Sequence, residues 1–162
     1  MNIFFLDRDP RLAAQYHYDK HVLKMIVETA QILCGVHHHF KNSQPWMYKP
    51  THLNHPCSLW ARRSTSNYRW LATLGLALCD EYEYRYGKVH KTRAIIELLE
   101  RNFPKKLPAN NLLPPAQAMP DEYMNDDAVI AYRSYYVSQK LPKAKYTRRQ
   151  WPAWAIKKEI IV

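Results

Sequence analysis

From about Arg11 to His38 apolar residues return at helical spacing, with no proline and no glycine ahead of Gly35, which predicts one long amphipathic first helix. Ahead of it, Met1 to Leu6 is short, mostly apolar and followed by Asp7 and Pro10, the pattern of an extended lead-in. The periodicity lapses from Asn42 to His55, where Pro45, Pro50 and polar residues mark a loop. Pro56 suits the first turn of a second helix, because its missing N–H costs nothing there. Trp60, Tyr68, Trp70, Leu74, Leu78 and Tyr82 carry that helix to a stop near Gly87, with a break around Ser64 to Ser66.

His90 to Asn102 reads as a third, amphipathic helix closed by Pro104. Five prolines between Phe103 and Pro120 forbid regular structure there, so this stretch wraps the surface. Asp126 and Asp127 offer an acidic start to a fourth helix ending near Gln139, favourable at the positive end of the helix dipole. No repeat, low-complexity tract or strand pattern is present. The expected architecture is all-α: a single compact, irregular helical domain over residues 1–162, with a long Pro-rich loop and a basic, aromatic C-terminal segment.

Composition narrows the chemistry. Three glycines in 162 residues are too few for a Rossmann sheet or a phosphate-binding loop, while 47% hydrophobic and 13% aromatic residues suffice for a core. The formal charge of +10 favours polyanions, nucleic acid first. The excess gathers near the end, where Lys140, Lys143, Lys145, Arg148, Arg149, Lys157 and Lys158 face one acid, Glu159. Tyr146, Trp151 and Trp154 stand among them, and cations mixed with flat rings suit phosphates and bases. Two prolines and the lack of an amphipathic period speak against a membrane surface. Cys34, Cys57 and Cys79 match no CxxC pattern and read as buried thiols in a reducing compartment. With charge arriving at Asp7 and no apolar run of about 18 residues, a soluble, cytoplasmic protein is expected.

On the first helix, His17, His21, Lys24 and Glu28 fall within about 60° of arc, opposite Val22, Met25, Ile26, Ile32, Leu33 and Val36. Asp19 is out of place on the apolar side. The ordinary explanation is a solvated stripe with an i,i+4 ion pair. The functional one is an acid–base face: Glu28 to shuttle a proton or stabilise positive charge on a sugar, and Lys24, His21 and His17 to hold a phosphate. His37, His38 and His39 are consecutive and so surround a helix end, unlike ligands that converge at i,i+3 or i,i+4. With no HExxH, CxxC, Gly-rich loop, GxSxG elbow or cysteine nucleophile, neither metal nor cofactor is expected.

The order of several short motifs resembles the pyrimidine-dimer DNA glycosylases with AP lyase activity, the phage endonuclease V type. These are a very short N-terminal segment, LAAQ (Leu12–Gln15), Glu28, VHHHFKN (Val36–Asn42), YKPTHLNH (Tyr48–His55), a long helix with an aromatic start, and the basic aromatic close. The resemblance implies a mainly helical fold whose N-terminal α-amine attacks C1′ of a damaged nucleotide, expels the base and forms an imine. A glutamate assists, and β-elimination cuts the strand. Met1 would carry the amine and Glu28 matches the glutamate, with Lys24 and His21 beside it. An α-amine, with a reference pKa of about 7.7–8.0, is far more often neutral near pH 7 than a lysine.

There are departures. Asn2 disfavours removal of Met1, whereas the family exposes a small first residue, and arginines flanking the family's glutamate are replaced by Val27 and Gln31. Because a duplex hides C1′, such an enzyme bends DNA or extrudes a nucleotide. His17, Tyr48, Lys49, His52, His55, Arg62, Arg63, Lys143, Lys145, Arg148, Arg149, Trp151 and Trp154 are the expected DNA contacts. The expected partner is damaged or modified double-stranded DNA, bound by a monomer. Two other readings stay open: a phage base-modifying enzyme that leaves the strand intact, and a non-enzymatic DNA-binding protein.

Overall fold

Side-chain caps start most of the helices that the periodicity marks out. Asp9 accepts from the Arg11 N–H at 2.8 Å and Pro10 opens α1, Pro10–Tyr16. His55 Nδ1 accepts from the Cys57 N–H at 3.1 Å and Pro56 opens α3, Pro56–Ala61. Ser64 caps α4, Thr65–Tyr86, which ends on left-handed Gly87. Asp127 caps α6, Ala128–Gln139. Between these lie α2, Asp19–His39, and α5, Arg93–Arg101; a short α7, Ala153–Ile156, follows. The computed structural model describes residues 1–156; Lys157, Lys158 and Glu159 lie outside the described residues. Among the described residues there is no strand, and the fold is all-α.

The first helix is two helices, a correction to the expected span from Arg11 to His38. His17 and Tyr18 are extended, with ψ of 132° and 163°. The break is held from far along the chain: Arg85 donates to the carbonyls of Gln15 (3.0 Å) and His17 (2.8 Å), and the Tyr146 hydroxyl to that of Tyr16 (2.6 Å). These bonds satisfy carbonyls that an interrupted helix leaves open. Asp19, the misplaced acid of the sequence pattern, pairs with Arg85 at 3.1 Å and accepts from the Thr147 N–H and hydroxyl.

The core gathers α2 and α4, with α1 and α5 packed on α4 and α3 on α2. Gly75 permits that approach, since a Cβ there would meet Thr29 Cγ2 at 2.9 Å and Ile96 Cδ1 at 3.1 Å. The lead-in is core rather than fringe. Ile3, Phe4, Phe5 and Leu6 are all buried, Phe4 among His21, Tyr132 and Tyr136, and Phe5 stacked on Trp70 at 4.4 Å. Each such burial is worth about 1.5–3 kcal/mol, enough to fix the chain's first residues against the helices. The Pro-rich stretch is irregular as expected and is tied down through Trp60 Nε1 to the Leu113 carbonyl (3.1 Å). Cys34, Cys57 and Cys79 are free and buried, and burial pushes their thiols up to about 11, 11 and 12.

Candidate active site

The start of the chain is held by its second residue. The Asn2 amide donates to the Ala118 carbonyl at 2.9 Å, and its Oδ1 accepts from the Ile3 N–H at 2.8 Å and the Tyr132 hydroxyl at 3.0 Å. Tyr132 also donates to the Ala116 carbonyl at 2.6 Å, so α6 and the Pro-rich stretch together grip the N-terminus. Sequence reasoning missed both residues, because their partners are more than a hundred positions apart. Met1 is half-buried, with its Sδ 4.0 Å from Ser58 Oγ on α3.

Glu28 lies on the side of α2 turned to this corner. Its carboxylate pairs with Lys24 at 3.5 Å, the lysine 58% exposed and the glutamate 15%. The terminal amine and Glu28 act on the same two side chains. The His55 imidazole is lowered by burial, then by the terminal ammonium and His52, and raised by Glu28; the Cys57 thiol is raised by burial, with the ammonium and Glu28 again opposed. Accepting from Cys57 at Nδ1, a neutral His55 carries its proton on Nε2. Met1, Lys24, Glu28 and His55 thus belong to one neighbourhood, with His52 beside it.

The histidines of the first helix do not join them. His17 is fully buried and His21 5% exposed, covered by Phe4 and Tyr136. His17 Nδ1 bonds the Ala13 carbonyl at 2.6 Å, and His21 Nδ1 the Tyr136 hydroxyl at 3.1 Å. Desolvation lowers His17 to about 4 and His21 to about 2, the latter depressed further by His17, Lys140, Lys24 and Lys20. Both rings are neutral packing elements, which corrects their assignment as phosphate holders. A pH dependence follows. The unfolded imidazoles titrate near 6.5 and the folded ones far lower, so below about 6.5 the unfolded state binds more protons. Stability is full above that pH and falls as the solution is acidified. Urea unfolding at pH 7 and pH 4.5 should differ by roughly 2–3 kcal/mol per imidazole from this source. Equal stability at the two pH values would mean that the rings are solvated.

The other expected DNA contacts divide. Lys49, His52, Arg63, Lys143, Lys145 and Arg148 are exposed. His52 and Arg148 hold left-handed backbone, with φ of 49° and 59°. Arg62 is half-buried and donates to the Leu53 carbonyl at 2.8 Å, bracing the loop ahead of α3. Tyr48 is a strut whose hydroxyl bonds Thr92 at 3.0 Å and whose carbonyl accepts from His38 Nε2 at 2.8 Å. Arg149 is occupied by Glu81, with Nε to Oε2 at 3.1 Å, and lies over Tyr84. Trp154 packs against Tyr16 and Tyr136 under the Arg133 guanidinium, and Trp151, 42% exposed, rests on Tyr146. Arg149 and Trp154 therefore anchor the tail, a correction to their reading as phosphate and base contacts. The acid that takes Arg149 was visible only as an i,i+4 pair, Glu81 with Arg85, in the second long helix.

His37 bonds the Tyr68 hydroxyl at 2.9 Å within the core, and among the described residues no group of three or more His, Cys, Asp or Glu side chains is placed to hold a metal. No described helix is long and apolar enough to cross a membrane. No curated protein and no solved structure matches the chain. The profile of one family, pyrimidine dimer DNA glycosylase, matches residues 1–95 of the 162. That span runs from the terminal amine through α2, Glu28, His55 and all of α4, and on this match the chain belongs to the pyrimidine dimer DNA glycosylase family.

Proposed function

We propose that the protein is a DNA glycosylase with associated AP lyase activity on a damaged or modified pyrimidine, and that the Met1 amine is its nucleophile. The observation that carries this reading is the shared neighbourhood of the terminal amine and the Glu28 carboxylate around His55 and Cys57. The neutral amine attacks C1′, and the C1′–N bond to the base breaks as the base leaves with its electron pair and gains a proton. The amine then loses a proton as the sugar ring opens, giving an imine between Met1 and C1′. Removal of a C2′ proton expels the 3′ phosphate, and water releases the cleaved strand. Glu28 is the group placed to move these protons and to offset positive charge on the sugar. Lys24, 3.5 Å from Glu28, and His55 border the same space and are candidates to hold the backbone, with Lys49, His52, Arg62, Arg63, Lys143, Lys145 and Arg148 around them.

Borohydride reduction tests the proposal. Incubated with an abasic duplex and NaBH₄, the protein should yield a covalent adduct that survives EDTA, and peptide mapping should place it on residue 1. Binding without a trapped adduct would refute the imine and leave the base-modifying or purely binding readings. An adduct on a lysine would move the nucleophile elsewhere.

A further inference from the structure

Beyond the C-terminal end of α2 lies a cavity of about 760 Å³ walled by the end of α5, the turn after α2 and the start of the Pro-rich stretch. Its charged lining residues, Lys41, Arg101, Lys105 and Lys106, are all cationic and exposed, and none of the lining residues is acidic. Phe40, Phe103 and Trp46 supply the flat surfaces; Trp46 is 37% exposed, and the Arg69 guanidinium sits 4.9 Å from the Phe103 ring centre. The turn that presents Lys41 is built for this direction. The Lys41 and Asn42 N–H groups bond the carbonyls of His38 and His37, closing α2 with Lys41 in the left-handed position usually given to glycine, at φ 55°.

We infer that this cavity binds unpaired DNA, at a second site separate from the Glu28 neighbourhood. Cations track phosphates, and rings offer stacking to any base whose face is free. A duplex hides its base faces and is too wide to enter a hollow of this size, which selects a single strand. Nor is this where the reaction's own nucleotide goes: His37, in the cavity wall, is nine residues from Glu28, about half a turn around α2 and roughly 13 Å along it. The walls from Arg101 to Lys106 also lie outside the residues matched by the family profile. The site does not depend on the amine chemistry.

The test is fluorescence anisotropy of labelled dT12 with the full chain, beside borohydride trapping on an abasic duplex. Trp46→Ala should weaken dT12 binding about tenfold through lost stacking. Lys105→Gln with Lys106→Gln should also weaken it and reduce the slope of log affinity against log salt by about 1. Trapping should stay within about twofold in each. Lys41→Gly removes a cation while relaxing the backbone, so it tests binding without threatening the fold. Unchanged dT12 affinity in all three overturns the inference, as does parallel loss of trapping, which would merge the cavity with the reaction cleft. A Trp46→Ala protein with full affinity reduces the site to charge adhesion, and a stronger preference for rU12 assigns it to RNA. Glu28→Gln should bind dT12 normally, so failure of the catalytic proposal would leave this result intact.

Discussion

Glu28→Gln should lower strand cleavage at an abasic site by about 10²- to 10⁴-fold, the range associated with a lost acid–base group, while duplex affinity stays within about twofold. Glutamine keeps the shape of the side chain and removes only its charge and its capacity to carry a proton. The pairing lost with Lys24 is an i,i+4 contact whose lysine is more than half exposed, so it contributes little to stability. Single-turnover cleavage and an equilibrium binding titration on the same abasic duplex separate the two effects. Equal loss in both, or a lowered melting temperature, would make the residue structural.

Arg85→Ala should be the most destabilising single substitution on the surface between α4 and the tail, at about 3–5 kcal/mol, the cost of removing one partner from a buried ion pair. The guanidinium is fully buried and donates to Glu81 (3.0 Å), Asp19 (3.1 Å) and the carbonyls of Gln15 and His17. Its removal leaves Asp19 to Thr147, Glu81 to Arg149, and two carbonyls with no donor from this side chain. Arg85→Lys should recover only part of the loss, because one ammonium cannot span four acceptors set by a planar fork. Chemical unfolding measures both. A cost below about 1 kcal/mol for Arg85→Ala would show that solvent reaches the network.

Local chemistry made much of the fold legible. Pro56, Gly87 and Asp127 mark helix ends because the groups they satisfy or spare are within a turn of them. The break at His17–Tyr18 was hidden, since the donors that stabilise it belong to Arg85 and Tyr146. The polar stripe shows the same limit at the site. Periodicity put His17, His21, Lys24 and Glu28 on one side, but it carries no information on what lies against that side. Phe4 and Tyr136 cover the first two, while Lys24 stays exposed and Glu28 keeps partial access. In the tail, the charge count was right, but the count did not show that Glu81 takes Arg149 or that Arg133 lies over Trp154.

The three cysteines give the molecule a built-in timer. With every sulfur covered and held as the poorly nucleophilic thiol, an alkylating reagent reacts only when the surrounding helices part. Cys57, at the start of α3 beside the Met1 corner, would clock the opening of that corner, and Cys34 and Cys79 the loosening of α2 and α4. Labelling rates at the three sulfurs therefore separate a breathing entrance from a melting interior without a single engineered probe.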